Sequence, residues 1–575
     1  MRHVILACLV LASLTACNRT PAPAAAPAAS PAPTAAANRI QADVAALADD
    51  RMQGRRTGTP GFDRAADYVA ARMRAIGLQP GGDDGTYFQR VPLLSSTRVG
   101  AGARFEVVRS DRTIVLRFGD QFLPAPDFAA TKRSVRAPAV FVGMGVVAPE
   151  RKYDDFAGLD LRGKVAVLFG GAPAAFDHDQ RAIHGAALEK LRALAARGAI
   201  GAVFVDSAED EAQAPWARQA AAWQRPQLRL RDAEGHAIDS VPRLRVVATV
   251  SAAAADLLFD GSGHTAAELA AAARDGRAKG FTLPVSLSLA ARSTIASLDS
   301  RNVVGVLPGS DPRRNDETVV LSAHLDHLGT GAAVDGDAVY NGALDNALGV
   351  AIVLEAARNA RAAAASKRPL LFLASTAEEQ GLLGAQWFAL HPRGRTVADI
   401  NIDMPMLLAP TRDAVAIGDG HSSLATVVQQ AARLMQLPLS ADPFPEESVF
   451  TRSDQYAFVR AGVPALVLDG GTLASAASAG KPADARTAPL LAQREFLRRC
   501  YHQPCDDIRQ PIQYGDAARL ATLAARIGLA IGNGPQPPQW KPGDAFGQRF
   551  GGVESRRRTD STRGNARPAG RKLGA

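Results

Sequence analysis

Three groups of potential metal ligands directly follow three predicted β-strands. The strands are Thr318–Ser322, Leu370–Ala374 and Asp399–Ile402, and the groups after them are His324 with Asp326, Glu378 with Glu379, and Asp403. Each group alone is weak evidence, because His-x-Asp pairs and paired glutamates are common on protein surfaces. In open α/β sheets, however, ligands bind beyond the carboxyl ends of the strands. We therefore expect these side chains to converge on one crevice.

The residue types in these groups suit zinc. Zn²⁺ is bound by imidazole nitrogen and carboxylate oxygen, and a catalytic zinc keeps one position open for water. Asp345 is a further candidate ligand, although its position before a predicted helix also fits an N-cap. Two metal ions about 3.5–4 Å apart can polarise a carbonyl and activate a water together. The pattern therefore predicts a hydrolytic metal centre.

Two acidic residues of the pattern have predicted roles other than metal binding. Asp326 lies two residues after His324, so in an extended chain both side chains point the same way. A metal-bound histidine usually donates its second N–H to a carboxylate, and we assign that orienting role to Asp326. Glu378 precedes Glu379, and the two side chains cannot point identically. Glu378 is predicted to be the general base, which takes a proton from the attacking water and passes it to the leaving amine.

Alternating strands and helices must hold these residues in place. After Asn302, short apolar strands alternate with the helical stretches Val350–Ala364, Ser423–Met435 and Asp516–Ile531. Buried strands that alternate with helices indicate an α/β domain with a largely parallel sheet, covered by helices on both faces. Residues 39–136 are predicted to form the N-terminal part of this domain, and residues 291–535 its catalytic part.

The region 137–290 has a different pattern and is predicted to be a β-rich module inserted into the α/β domain. Short strand-like runs, Val140–Val142, Lys164–Phe169 and Gly201–Val205, surround a helical stretch that Gly198 ends. Such a module can act as a spacer or as a gate on substrate length. Its insertion close to the crevice favours the gate.

The N-terminus predicts export. A short basic start precedes an apolar run, Val4–Leu14, that is too short to span a bilayer. The run Leu14–Cys17 resembles a bacterial lipoprotein box, so residues 1–16 are predicted to be a signal peptide and Cys17 a lipid anchor. The Pro- and Ala-rich residues 17–38 are predicted to form a tether. We expect a membrane lipoprotein that faces the periplasm, on the outer membrane, or the cell surface.

The net charge of +9 does not indicate a nucleic-acid partner. The last 25 residues carry seven basic and two acidic side chains, which accounts for +5 of the total. The rest of the sequence has no basic stripe interleaved with aromatic residues, so we expect no nucleic-acid binding. Residues 536–575 are predicted to be a disordered basic tail.

The pattern of motifs resembles the M28 family of zinc aminopeptidases. The motifs that carry the resemblance are, in chain order, Ser322–Gly329, Asn341–Gly349, Ala377–Gly384, Asn401–Met404 and Tyr501–Pro504. The resemblance extends from Arg39 to about Asn533. Within it, Tyr153–Asp160 resembles the protease-associated (PA) domain that is inserted in many members. The resemblance implies a phosphorylase/hydrolase-like α/β fold and peptide substrates.

The resemblance also implies a site with two Zn²⁺ ions. The ligands carried over by motif are His324 and Asp403 on one ion, Glu379 and His502 on the other, and Asp345 bridging both. Three carboxylates and a bridging hydroxide balance four positive charges, which suits a buried crevice. Gln455 replaces a histidine that is common in the family, but it is not a ligand.

Two cysteines, Cys500 and Cys505, bracket His502. In the oxidising compartment that export implies, this close pair could form a disulfide. Such a bond would hold the loop of the last ligand in place. The alternative is two free thiols.

Hydrolysis of the N-terminal peptide bond is the activity that the resemblance favours. Carboxypeptidase or dipeptidase action in the same superfamily is an alternative, and it would need arginines directed at a substrate carboxylate. Glutaminyl cyclisation, which uses a single zinc, and a non-catalytic receptor-like role are further alternatives that the complete ligand set disfavours. The sequence leaves the preferred N-terminal residue and the oligomeric state open.

Overall fold

The computed structural model describes residues 34–475 and 487–552. The predicted signal peptide, Cys17 and residues 553–575 of the predicted tail lie outside these ranges. In the described part of the chain, no helix combines the length and the apolar character needed to cross a membrane. Two large β-sheets and the helices around them make up most of the structure.

The main sheet belongs to the α/β domain and has a parallel centre. Its strands, in spatial order, are β11 (Gln227–Leu230), β2 (Phe88–Arg98) with β1 (Gln79–Pro80), the second half of β13 (Phe281–Leu307), β17 (Leu370–Ser375), β14 (Glu317–His324), β18 (Arg395–Asn401), β21 (Ala465–Gly470), β19 (Ala414–Ile417) and β20 (Leu439–Ser440). The neighbours β17, β14, β18 and β21 are parallel to one another. Nearly every residue in these four strands is buried, as expected for strands covered on both faces.

Helices cover both faces of the main sheet. On one face, Val319 and Leu321 of β14 share a core with the helices α1 (Ala35–Leu47), α2 (Pro60–Ile76), α9 (Leu348–Ala362), α11 (Leu424–Leu434), α13 (Thr487–Arg499) and α14 (Tyr514–Asn533). On the other face, Val320 shares a core with α10 (Leu383–Leu390), α12 (Gln455–Arg460) and α15 (Ala545–Phe550). The alternation of neighbouring strand residues between two cores confirms the predicted α/β fold.

The second sheet belongs to the inserted module. Its strands, in spatial order, are β5 (Phe122–Pro124), β12 (Val246–Val250), β10 (Gly201–Val205), β9 (Val165–Phe169), β6 (Lys132–Phe141), the first half of β13, β3 (Arg104–Val108) and β4 (Thr113–Leu116). The helices of the module are α3 (His178–Gly185), α4 (Ala187–Ala196), α5 (Ala208–Gln213), α6 (Trp216–Ala221), α7 (Asp256–Phe259) and α8 (Ala266–Arg274). Two hairpins complete the strands: β7 (Val147–Ala148) with β8 (Tyr153–Asp154), and β15 (Gly329–Val334) with β16 (Asp337–Tyr340).

The module sheet extends beyond the predicted limits of 137 and 290. Strands β3 and β4 precede residue 137 but pair within the module sheet, and β13 continues past residue 290 into the main sheet. Conversely, β11 lies inside the predicted insertion but pairs with β2 of the main sheet. Sequence patterns identify strands without naming their partners, which explains these differences. The assignment of the module as a PA domain stays a prediction.

Both ends of the described chain are more ordered than predicted. Helix α1 begins at Ala35, where the Thr34 side chain accepts the Ala37 N–H at 3.2 Å, so the end of the predicted tether 17–38 is helical. Residues 536–552 of the predicted disordered tail are also ordered, and Phe546 of α15 is fully buried. The order of residues 536–552 was not predicted, because the basic composition of the tail as a whole outweighed the apolar Phe546.

Candidate metal centre

The candidate ligands lie where the parallel strands end. His324 is the last residue of β14, Asp403 lies two residues after β18, and Glu379 lies four residues after β17. Because β14 is between β17 and β18, the three loops leave the sheet side by side. The structure thus brings together residues that are up to 79 positions apart in the sequence.

The five predicted ligands form two groups that share Asp345. His324 Nε2 lies 2.9 Å from Asp403 Oδ1 and 3.2 Å from Asp345 Oδ1. His502 Nε2 lies 3.3 Å from Asp345 Oδ2 and 3.3 Å from Glu379 Oε2. The two oxygens of Asp345 therefore face different histidines, which is the arrangement that a bridging carboxylate requires.

The orienting role predicted for the Asp326 side chain falls to its backbone instead. His324 Nδ1 lies 3.0 Å from the Asp326 carbonyl oxygen. Because a carbonyl only accepts, Nδ1 carries a proton, and Nε2 faces the carboxylates, where a bound ion would take its lone pair. The Asp326 carboxylate accepts the Glu378 N–H at 3.0 Å and the Thr57 hydroxyl at 3.2 Å. Strand β14 ends at His324, so the alternation of an extended chain does not reach Asp326.

His327 is a candidate ligand that the sequence interpretation missed. It is buried, and its Nδ1 lies 2.7 Å from Glu379 Oε1 and 3.8 Å from Asp345 Oδ2. These three side chains are close enough to hold one ion. Within the described residues, His327 Nε2 is buried without a hydrogen-bond partner. The second group therefore contains two imidazoles, those of His327 and His502. The one feature of the sequence that could have identified His327 as a candidate is that it follows Asp326 directly.

The loop that carries Asp345 is held by an aspartate and a glycine. The Asp506 carboxylate accepts the N–H groups of Leu344 and Asp345 at 2.8 Å and 3.0 Å. Gly342 has a φ of 60°, and a side chain there would meet the Asp345 carbonyl oxygen at 2.1 Å and the His327 ring at 2.6 Å. Only glycine fits this position, because both the backbone angle and the space exclude a Cβ atom.

Arg55 connects two ligand loops beneath the site. The side chain is fully buried, and it donates to the carbonyl oxygens of Leu325 at 2.8 Å, Asn341 at 2.6 Å and Gly342 at 2.9 Å. Leu325 follows His324 directly, so one guanidinium fixes both the β14 loop and the loop before Asp345. Burial lowers the pKa of Arg55 to about 10, while nearby carboxylates oppose that shift, so it is charged at neutral pH. The turn-rich sequence around Arg55 did not indicate this role.

The electrostatics of the site favour bound cations. Burial opposes a charge on His502, but Glu379 and Asp345 outweigh it and raise its pKa to about 10. Burial and Asp345 act to raise the pKa of Glu379, but His502 and His327 outweigh them and lower it to about 2. Three carboxylates in a buried site need compensating positive charge. A donor set of imidazole nitrogens and carboxylate oxygens fits zinc.

The site opens into a cavity of about 590 Å³. The five predicted ligands and Glu378 line one side, and an apolar wall consists of Met404, Met406, Ile417, Phe444, Leu497 and Tyr501. Gln455, where the resemblance predicts histidine, supports the cavity through its amide. Its Nε2 donates to the carbonyl oxygens of Val449 at 3.0 Å and Phe450 at 2.9 Å, and Val449 lines the cavity.

A disulfide joins Cys500 to Cys505 and closes the loop that contains His502. The Tyr501 ring stacks on the His502 ring, with 3.9 Å between the centroids. The disulfide and the stacked ring both restrict the position of His502. This agrees with the predicted role of the cysteine pair.

A mostly parallel α/β sheet with imidazole and carboxylate groups at its strand ends forms a site that could hold metal ions. Residues 302–527 match the protein family described as Peptidase family M28. This segment contains all five predicted ligands and Glu378, and it excludes the inserted module. Over this segment, the match confirms the family resemblance that the motifs carry.

Three solved structures resemble this chain over most of its length. The aminopeptidase from Aneurinibacillus sp. strain AM-1 is 18% identical, covers 88% of this chain and 96% of its own, and has a TM-score of 0.49. The zinc aminopeptidase BSAP from Bacillus subtilis is 17% identical, and the match covers 85% of this chain and 94% of that protein, with a TM-score of 0.41. The Peptidase M28 precursor from Shewanella amazonensis SB2B is 18% identical, and the match covers 88% of this chain and 97% of that protein, with a TM-score of 0.39. At TM-scores below 0.5, these likenesses assign no activity to this chain.

Proposed function

We propose that this protein is an aminopeptidase that holds two Zn²⁺ ions and hydrolyses the N-terminal peptide bond of peptides. Asp345 carries the proposal, because one of its oxygens faces His324 and the other faces His502. Asp403 and Glu379 complete the two groups of ligands. Two zinc ions bound there would polarise the scissile carbonyl and lower the pKa of the attacking water.

Glu378 is the proposed general base. It lines the same cavity as the ligands, and Asp326 fixes its backbone N–H. Burial raises the pKa of Glu378 well above its usual range; His324 opposes this shift, and Asp403 adds to it. A carboxyl group with a raised pKa can take the proton of the attacking water and deliver it to the leaving amine.

Two further carboxylates support an amino-terminal substrate over a carboxypeptidase substrate. Asp442 and Asp469 line the cavity, and each uses Oδ1 to accept a backbone N–H, from Phe444 at 2.8 Å and from Met406 at 2.7 Å. Neither forms an ion pair within the described residues. Burial raises the pKa of both carboxyl groups, that of Asp469 to about 7, and as the pH rises they ionise and attract a free α-amino group.

Metal analysis and a substrate panel test this proposal. We expect two zinc ions per chain and release of free N-terminal amino acids from peptides and amino-acyl anilides. Glu378→Gln should keep its zinc but lose activity by about 10²–10⁴-fold, because proton transfer is removed. Glu446→Gln, an exposed neighbour of the cavity, is the control and should stay active. One zinc per chain, release of C-terminal residues only, or an active Glu378→Gln variant would contradict the proposal.

We also propose that the protein is exported and anchored to a bacterial membrane through lipidated Cys17. The Cys500–Cys505 disulfide supports an oxidising compartment. Mass spectrometry should find a lipidated Cys17 at the mature N-terminus, and the protein should sediment with membranes. Cys17→Ser should abolish both properties, and an unmodified Cys17 in the mature wild type would sink the idea.

A further inference from the structure

A second cavity adjoins the proposed reaction centre. Its volume is about 320 Å³, and it lies between the inserted module, which contributes Phe128 and Leu191, and the α/β domain, which contributes Leu383. Gly381 and Arg460 line both this cavity and the cavity of the metal centre. The two spaces therefore meet at these two residues.

Gly381 places this junction beside the proposed base. The N–H groups of Gly381 and Leu382 donate to the Glu378 carbonyl oxygen at 2.8 Å and 2.9 Å. Gly381 has a φ of 112°, and the space where a side chain would be is open. Since Glu378 delivers its proton to the leaving amine, the departing part of the peptide lies on this side of the reaction centre. A short peptide would extend from there past Gly381 toward Arg460.

Arg460 is the available cation at the junction. It is the last residue of α12 and is half-buried. Its guanidinium has no hydrogen-bond or ion-pair partner among residues 34–475 and 487–552. The other arginine of the metal-centre cavity, Arg452, is exposed and pairs with Glu447 at 3.2 Å. A guanidinium binds a carboxylate through two parallel hydrogen bonds, so Arg460 is complementary to a substrate carboxylate.

We propose that Arg460 binds a carboxylate on the leaving-group side, and that the preferred substrates are short peptides whose C-terminal carboxylate reaches it. This inference rests on the proposed function. One residue of extended chain spans about 3.3–3.6 Å, so the carboxylate of a dipeptide or tripeptide lies within roughly two residue lengths of the leaving nitrogen. Asp442 and Asp469 attract the amino end in the same cavity. The site thus matches both charged ends of a short peptide.

The test compares kcat/KM for a tripeptide with a free C-terminus, such as Leu-Gly-Gly, and for its C-terminal amide. We expect the wild type to prefer the free acid by roughly tenfold or more, the value of a charged hydrogen bond. Arg460→Gln should lose this preference, and Arg460→Lys should keep part of it. Arg452→Gln removes a positive charge from the same cavity and should keep the wild-type ratio.

An acidic side chain in the second residue carries the same chemistry as a C-terminal carboxylate. Amides of Leu-Asp-Gly and Leu-Asn-Gly separate the two sources, because only the first has a carboxylate. A preference for Asp over Asn that depends on Arg460, without a preference for the free C-terminus, would overturn the assignment to the C-terminus.

Amino-acyl p-nitroanilides separate the failure of this inference from that of the proposed function, because they carry no carboxylate. If anilides are cleaved and the wild type does not distinguish acid from amide, the Arg460 proposal is wrong and the proposed function stands. The Arg460 proposal is also wrong, and the proposed function stands, if the Arg460→Gln variant still prefers the free acid to the amide. If neither anilides nor peptides release an amino acid, the proposed function fails, and this inference fails with it.

Discussion

His327 and His502 both lie close to Glu379, but in different surroundings. His327 is buried and lies 2.7 Å from the carboxylate, whereas the His502 side chain is 34% exposed, lies 3.3 Å away and lines the cavity. A buried imidazole beside a ligand carboxylate is typical of a residue that orients the ligand. An imidazole that lines the cavity is placed to hold an ion where substrate enters. We therefore assign metal binding to His502 and support of Glu379 to His327.

This assignment predicts different metal contents for two alanine variants. His502→Ala should lose one zinc per chain, whereas His327→Ala should retain two zinc ions with about 10–100-fold weaker affinity at one of them. Metal analysis after dialysis, together with chelator competition, measures both effects. His391→Ala, an exposed histidine, is the control. Two zinc ions in His502→Ala and one in His327→Ala would reverse the assignment.

Arg55 is the residue whose loss should affect stability and metal affinity together. Removing its guanidinium leaves buried carbonyl oxygens unpaired, and each such group costs about 1–3 kcal/mol. Arg55→Met should lower the free energy of unfolding by at least about 3 kcal/mol and weaken zinc binding, because two ligand loops lose their connection. Denaturant unfolding and chelator competition measure these changes.

Arg51→Met is the matched control for Arg55→Met. Arg51 lies in the same N-terminal loop, its side chain is 84% exposed, and within the described residues its guanidinium pairs with Asp49 alone. Its substitution should change stability by no more than about 0.5 kcal/mol. A folded Arg55→Met variant with the zinc affinity of the wild type would show that Arg55 does not position the ligands.

At the level of elements, His502 differs from His324, Glu379 and Asp403, because those three follow strands of the main sheet and His502 does not. It follows α13 in a loop that the Cys500–Cys505 disulfide closes. Replacing both cysteines with alanine should lower stability by about 2 kcal/mol, the value for so short a closed loop. Zinc should be lost from the second group first, because only that group contains His502.

The cysteine prediction is checked by zinc per chain and kcat at temperatures where the double variant is folded. Reductant should have the same effect on the wild type as the double substitution, and no further effect on the variant. If the double variant keeps two zinc ions with normal affinity, the disulfide does not hold the ligand loop.

The elements that carry the site could largely be predicted from the sequence. Strand β17 spans Leu370–Ser375 where Leu370–Ala374 was predicted, because a short apolar run has few alternatives. Helix α2 ends at Ile76, and Gly77 caps it in the left-handed conformation that glycine adopts without strain. The roles of His327 and Arg55 could not be predicted, since they depend on side-chain directions in irregular loops, where no periodicity applies.

At the scale of the whole molecule, strand β13 and the C-terminal segment both link the module to the α/β domain. Strand β13 passes through both sheets. In the C-terminal segment, Arg549 pairs with Glu189 of α4 at 2.5 Å. Neither link was visible in the sequence, because one depends on strand partners and the other lies in a segment whose composition is basic. The C-terminal segment also packs close to the wall of the metal-centre cavity. Phe546 packs on Phe450, which directly follows the cavity residue Val449.

Phe546 should stabilise this arrangement far more than the ion pair does. Its ring is fully buried against Phe450 and Tyr456, and truncating a buried phenylalanine costs about 3–5 kcal/mol. The Arg549–Glu189 pair is largely exposed, and such pairs contribute about 0–1 kcal/mol. Phe546→Ala should therefore lower the free energy of unfolding by several kcal/mol, while Glu189→Gln changes it little. The Phe546→Ala substitution should also raise KM more than it lowers kcat, because Phe450, on which Phe546 packs, supports the cavity wall and holds no metal.

Denaturant unfolding and steady-state kinetics of Phe546→Ala test this expectation, with Leu434→Ala as the control. Leu434 is 74% exposed, so its truncation should change stability by no more than about 0.5 kcal/mol. A Phe546→Ala variant within about 1 kcal/mol of the wild type would mean that the C-terminal segment is not anchored through this ring. A fall in kcat at unchanged KM would instead place its effect on the metal ligands, and the link from the C-terminus to the cavity wall would then be wrong.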